Sequence, residues 1–585
     1  MNIIDKIKNH WPVLILALLV GLIVVLPTIL SVEKVGNDSF KGIYPIFNDD
    51  ENYYNALTRE VYDGHYSLTN PYIKEYKTGP YLFPPLPEIT YATFSKIFGI
   101  SITTMAVVND FLLPIISVLL LYSLLLKITF SKNKSLLLTS LFFLLFISSF
   151  NRPISPQFHF IFLLAGLNLM WLIATAKHVF KKILLYNVSL AVVFGILVYS
   201  YPFYWMTLAI VYFIWTLLIV FSTKDFKYWA INWLSFFIPA IVFSIPFIVN
   251  NLSLRANPLF FETNLRMGFI NTHIPGSFFN IGLICLSVPA VYLISKLCNE
   301  RRLTLLGPAL IISGIILNWQ NIITGQTFQF PQHFYPVIVL FIFLICGLSL
   351  RYITKSTWVE FPRKSRTLIF LLIVFFIFIF YKQRGEIIYT YKNISSPVDI
   401  SSSQRLSSIL KWLENNTPRD SSIYVLGQEI NSAIPVYTHN NVYFSTDAGL
   451  SVMSDSEIEN RWAIQHFFEP VDKIIVEKSQ REIWINKFIE TYQSRESRRK
   501  ILQLITGKKY PENILTNEVF IDRVLDAHKI FKNIGFEKSL KTYSVDYLIL
   551  DKSYNLYPRL VKEFKSYEFM ILVEQIGDTM IYKIN

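Results

Sequence analysis

The strongest constraint on this chain of 585 residues is a series of eleven apolar runs between residues 11 and 381. They span 11–30, 102–126, 136–150, 158–176, 183–199, 203–221, 230–249, 279–297, 303–323, 334–350 and 367–381. Crossing a hydrocarbon core of about 30 Å takes roughly 20 helical residues, and most of the runs come close to that length. Only 16% of residues are charged, against about 25% in soluble domains, and the mean hydropathy is +0.40. The chain therefore reads as a polytopic α-helical membrane protein of about 11 transmembrane helices. An odd count places its ends on opposite sides. Cys285, Cys298 and Cys346 lie in or beside apolar runs, which excludes a disulfide scaffold or a zinc site built from them.

The net charge of +13 invites a nucleic-acid reading, which its distribution removes. With a cytoplasmic N-terminus, the short inner connections carry 18 basic residues, from Lys6 and Lys8 to Arg363, Lys364 and Arg366. The short outer ones carry only Arg152, Arg255 and Arg266. That bias sets the orientation. Residues 382–585 hold 27 basic and 26 acidic groups, a net +1, so the membrane half supplies +12. The excess is topological. The first run has a basic flank, exceeds a signal-peptide core and lacks a small-residue cleavage pattern, so it reads as a retained span.

Two segments break the apolar pattern. Residues 1–381 form the membrane part, and their first external loop, about 32–101, far exceeds an ordinary helix connection. Its 51–62 stretch places Tyr54, Leu57 and Val61 on one helical face, and Asp63-Gly64 ends it. After Pro80, Pro84, Pro85 and Pro87, residues 89–98 read as an amphipathic helix along the membrane surface. Residues 382–585 read as an external soluble α/β domain: a helix at 405–416, buried strands at 421–427 and 545–552, a long charged helix at 479–506, and a hairpin turning at Gly577-Asp578. It carries no phosphate-binding glycine loop, HExxH or GxSxG.

The densest ionisable cluster near the membrane is Asn48-Asp49-Asp50-Glu51. It is either a solvated acidic loop or a helix start, with one acid as cap or dipole partner and the others facing a surface cavity. Adjacent carboxylates repel, which raises one pKa and favours a shared divalent cation. Arg152 is an interfacial anchor or a phosphate ligand; Arg255 and Arg266, flanking Glu262, form a structural pair or a donor site. His333 either donates to phosphate or is structural, and His65 and Glu88 are weaker candidates. Asp110, early in the second span, needs a buried partner or a role at that depth; it is a candidate to support Asp50. The aromatic turn 199–205 is an interfacial belt or a sugar-stacking platform.

A first span with a cytoplasmic N-terminus, a long external loop opening on Asp49-Asp50-Glu51 with Tyr53 and Tyr54, then Asp63-Gly64, Asn70-Pro71, a proline-rich stretch, about ten more spans and an external C-terminal domain: this resembles the GT-C superfamily of membrane glycosyltransferases. That superfamily includes protein O-mannosyltransferases, lipid A aminoarabinose transferases and oligosaccharyltransferases. The resemblance implies an inverting transfer from a polyprenyl-phosphate-linked sugar donor to a glycan, lipid or protein acceptor outside the cytoplasm, with no nucleic-acid partner. It puts the base on Asp50, with Asp49 the competitor and Glu51 beside them, and makes Arg152, His333, Arg255, Arg266, Tyr53 and Asp110 the candidate substrate contacts. A Mg2+ or Mn2+ held by Asp49, Asp50 or Glu51 is a further candidate, although the loop NRPISP lacks the acid that an oligosaccharyltransferase-type metal site would place there. The competing readings are a transporter or lipid flippase, against which the absence of an internal repeat and of midplane acids speaks, and a catalytically silent assembly subunit.

Overall fold

The computed structural model describes residues 3–48, 50–150, 152, 154–176, 180–270, 273, 275–298, 300–327, 331–352, 362–484, 503–504, 507 and 517–585. In order, α1 (Ile3–Val35) leads into the first loop with α2 (Asp50–Tyr62) and α3 (Leu86–Phe98). There follow α4 (Ile102–Thr129), α5 (Lys132–Phe146), α6 (Gln157–Thr175), α7 (Phe180–Val198), α8 (Pro202–Thr223) and α9 (Phe226–Ala256). All eleven apolar runs fall on helices. Among the described residues, eight helical stretches are long and apolar enough to cross a membrane. The other three runs lie on α5, with 15 residues, on Tyr335–Tyr352, whose apolar helix is short, and on Pro362–Ser395.

Helix α1 lies along α4, α4 along α6, α6 along α7 and α7 along α9. Gly21 permits the first contact: a Cβ there would sit 2.6 Å from the Phe111 carbonyl oxygen of α4. Small residues allow such close approach between membrane helices. Asn187 of α7 donates to Asn232 of α9 at 2.9 Å and accepts from the Tyr212 hydroxyl at 2.9 Å, a polar tie inside the bundle. The opposite face of α9 exposes Ile238, Ile241, Val242, Ile245, Val249 and Leu252. Water would not tolerate so long an apolar stripe, whereas lipid does.

The C-terminal part contains a five-stranded sheet, β1 (Ser422–Leu426), β2 (Asn441–Val442), β3 (Tyr547–Leu550), β4 (Met570–Ile576) and β5 (Thr579–Ile584), in the order β2-β1-β3-β5-β4. Strand β1 is parallel to both neighbours, and β5 is antiparallel to β3 and β4. Strands β1 and β3 are buried along their whole length, as their unbroken apolar runs require. Gly577, with φ +58°, makes the hairpin turn. The expected charged helix at 479–506 is described only in part, as Gln480–Trp484 near its start; most of the rest lies outside the described residues.

The first loop and the C-terminal part share one core. Ile43, Ala56, Tyr72 and Ile73 are buried in the same cluster as Ile423, Leu426 and Trp462. The Val442 N–H of β2 donates to the Tyr72 carbonyl at 3.0 Å, and Gln404 donates to the Ile43 carbonyl at 2.7 Å while accepting from the Lys41 N–H at 2.8 Å. Arg59 joins Asp63 to Glu414, both at 2.6 Å. Helix α2 is therefore held between the membrane bundle and the sheet. Helix α3 leaves Phe94, Ile97 and Phe98 exposed, the apolar side expected of a helix lying at an interface.

Candidate active site

Helix α2 begins with a reciprocal cap. The Asn48 side chain accepts the Asp50 N–H at 3.0 Å, the Asn48 carbonyl accepts the Glu51 N–H at 3.0 Å, and Glu51 Oε1 accepts the Phe47 N–H at 3.1 Å. The cap residue is thus an asparagine, while the acids occupy the first turn, where the helix dipole favours them. The cap turns the two described acids apart. Glu51 is buried; Asp50 is half exposed and forms an ion pair with Arg152 Nη1 at 2.5 Å. Asp49 lies outside the described residues.

Glu51 and Asp110 line one cleft with Thr28, Tyr44 and Thr103, and Tyr437 of the C-terminal part closes it. The cleft is small, with a volume of about 30 Å³. Burial raises the Glu51 pKa well above the ordinary carboxyl value, and Asp110 nearby adds to the shift. Asp110 accepts from Gln157 Nε2, which also donates to the Phe150 carbonyl. The expected support of Asp50 by Asp110 is therefore indirect, because the acid sharing its cleft is Glu51.

Beside the Asp50–Arg152 pair stands a tyrosine cluster. Burial pushes the Tyr54 hydroxyl up to about 12, and Arg152, Asp50 and Glu88 all lie within its electrostatic reach. Tyr201, also in reach of Arg152 and Tyr54, hydrogen-bonds His333 Nδ1 at 3.0 Å and stacks on His159 at 4.7 Å. His333 thus joins the site through Tyr201. Tyr53 faces the C-terminal part and stacks on Tyr72 at 6.5 Å. In the aromatic turn, Tyr199 accepts the Leu86 N–H on its carbonyl at 3.1 Å and the Phe247 N–H on its hydroxyl at 3.0 Å; it anchors the proline-rich segment between two spans.

Two expected contacts are not brought to the site. Arg255 is exposed at the end of α9. Arg266 is 3% exposed and donates to the carbonyls of Gly449, Ser451 and Met453 and to the Asp455 carboxylate. Its pairing partner is Asp455 and not Glu262, which instead accepts the Asp455 N–H at 2.6 Å. Arg266 clamps the segment after α9 onto the C-terminal part. His65 likewise pairs with Asp420 at 3.0 Å. Among the described residues no three His, Cys, Asp or Glu side chains converge as a divalent-cation site would need; Asp50 is engaged by Arg152 and Glu51 by a backbone amide, and Asp49, the third candidate ligand, lies outside the described residues.

Glu88, in the first turn of α3, is 4% exposed, and its Oε2 has no hydrogen-bond partner. Burial pushes its pKa up to about 8. Between the unfolded value of about 4.3 and 8, the folded protein keeps a proton that the unfolded chain has released, so stability falls as pH rises through that window. Glu88→Gln removes this contribution. Its unfolding midpoint should gain on that of the wild type from pH 5 to pH 8.5; parallel profiles would show that Glu88 ionises normally.

No protein-family model and no curated protein matches the sequence. Several solved structures are similar to the chain in overall structure. ArnT from Cupriavidus metallidurans, bound to undecaprenyl phosphate, is similar over 99% of this chain and 98% of its own, at 11% identity and a TM-score of 0.49. The oligosaccharyltransferase of Archaeoglobus fulgidus, tethered to an acceptor peptide, is similar over 94% of this chain and 70% of its own, at 13% identity and a TM-score of 0.47. AglB from the same archaeon, with an inhibitory peptide and a dolichol-phosphate, gives 12% identity and a TM-score of 0.43 over 99% of this chain and 89% of its own.

Proposed function

We propose that this protein is an inverting membrane glycosyltransferase that moves a sugar from a polyprenyl-phosphate donor to a hydroxyl acceptor outside the cytoplasm. The observation that carries this reading is the Asp50–Arg152 ion pair at the start of α2, beside a polar cleft at the end of the membrane bundle. The basic inner connections orient that end outward. Nucleotide sugars are not expected there, so a lipid-borne donor is the fitting one.

The pair has a mechanistic consequence. Arg152 is the cation available to a lipid phosphate, and a guanidinium binds phosphate oxygens in a bidentate fork. The donor phosphate then takes the place of Asp50 on Arg152, and the released carboxylate becomes free to accept a proton. The acceptor oxygen attacks the anomeric carbon from the face opposite the phosphate. The new C–O bond forms as the bond to the phosphate oxygen breaks, and the acceptor proton passes to Asp50. The leaving phosphate gains negative charge, which Arg152 stabilises. One base and one cation suffice, without the second carboxylate of a glycosidase.

Arg152→Ala tests the donor half of this account. It should lower kcat/KM for the lipid donor by about 100-fold, the scale of one lost charge-stabilising donor, and leave the acceptor KM within about threefold. Arg152→Lys should recover part of the loss, since it restores charge without the fork. An effect on the acceptor KM alone would contradict the assignment.

A further inference from the structure

The Asp50–Arg152 mechanism requires Arg152 to stay in place after Asp50 has released it, so its main chain needs a support of its own. That support stands on both sides of the arginine. On one side, Ile154 is 1% exposed at φ +71°, a conformation that a β-branched residue holds only when its surroundings impose it. The Ile154 N–H donates to the Tyr91 hydroxyl of α3 at 3.3 Å, and its carbonyl accepts the Phe158 N–H at 2.8 Å. On the other side, the Gln157 amide donates to the Phe150 carbonyl and to Asp110 of α4, which ties both ends of the connection to the bundle. Tyr91, Ile154 and Phe158 form one buried cluster, and Tyr54 of α2 packs against it. Asp50 and Tyr54 are four residues apart on α2 and share a face, so this cluster sets where each partner of the ion pair stands.

We infer that Tyr91 is a positioning residue for Arg152: its hydroxyl fixes the main chain two residues beyond the arginine and keeps the guanidinium where the donor phosphate needs it. This rests on the glycosyl-transfer reading above. Tyr91 is itself placed by a pinned helix, because the Leu86 N–H at the start of α3 is bonded to the Tyr199 carbonyl at 3.1 Å. Tyr91 is 2% exposed, with its ring 6.5 Å from that of Phe158. Water has no ready access to replace the hydroxyl, so its loss leaves the buried Ile154 N–H unpaired. The left-handed residue then relaxes and carries Arg152 with it. A misplacement of about 1 Å can cost about 100-fold in rate.

The test uses the full-length protein in detergent, with undecaprenyl-phosphate-linked glucose, mannose and arabinose as donors and a panel of simple glycosides as acceptors. Rates are referred to the folded fraction of each variant. Tyr91→Phe keeps the ring in its cluster and removes only the hydroxyl. It should lower kcat/KM for the donor by about tenfold, the scale of one buried N–H left unpaired, and leave the acceptor KM within about threefold. In an Arg152→Ala background the same substitution should cost less than about twofold, because a residue that acts through Arg152 then has nothing left to position. Wild-type donor kinetics in Tyr91→Phe, a change in the acceptor KM alone, or an equal loss in both backgrounds would overturn the positioning role and leave the transfer reading standing. A wild-type protein that consumes none of the donors would overturn the transfer reading and the positioning role with it.

Discussion

Asp50→Asn should reduce glycosyl transfer by about 10³-fold, within the range that a positioned general base contributes, while expression and thermal stability stay close to wild type. The amide keeps the size of the side chain and can still accept at the helix start, but it cannot take the acceptor proton. The lost ion pair is partly exposed, with Asp50 at 50% and Arg152 at 27% side-chain exposure, so its removal should cost no more than about 1 kcal/mol. Donor binding should persist or tighten, because Arg152 no longer has to leave Asp50. Steady-state kinetics and donor titration on the purified variant distinguish these effects. A variant that transfers at near-wild-type rate would remove Asp50 from the base position.

Arg266→Met should produce the largest loss of stability. The guanidinium is buried and saturates three carbonyls and Asp455. Its removal strands a largely buried carboxylate and three carbonyl oxygens, an uncompensated state that costs about 3–5 kcal/mol. The segment after α9 should then separate from the C-terminal part, lowering the unfolding midpoint and opening 257–270 to proteolysis. Arg266→Met combined with Asp455→Leu should be less destabilised than Arg266→Met alone, because the stranded charge is gone. Equal losses in the single and double variants would mean that Arg266 acts through its carbonyl contacts only.

The legibility of the chain follows from how local each signal is. The spans were readable because each is a run of consecutive apolar residues; α2 was readable because Tyr54, Leu57 and Val61 repeat at helical spacing. Strands β1 and β3 and the Gly577 turn announce themselves within eight residues. The site was readable only in its parts. Asp50 and Arg152 each stand out as charges on the outer side, yet their contact crosses 102 residues, and no periodicity encodes it. Arg266 misled for the same reason: its acceptors lie 183 to 189 residues later, where sequence alone shows an ordinary loop. Glu88 looked like one more polar residue after a proline stretch, because burial, the property that sets it apart, arises only when α2, α3 and the aromatic turn close around it. Asn48 takes the capping role expected of an acid: its amide oxygen accepts the Asp50 N–H without adding a fourth negative charge to the Asp49-Asp50-Glu51 run.

The central claim is that this chain transfers a lipid-borne sugar and does not merely move lipids. Its most direct test is release of undecaprenyl phosphate from undecaprenyl-phosphate sugars by the purified full-length protein in detergent, where no sealed compartment exists. The account predicts acceptor-dependent release by the wild type and none by Asp50→Asn. Failure to release undecaprenyl phosphate in detergent, together with movement of the intact donor across sealed vesicles, would contradict it and leave a transporter.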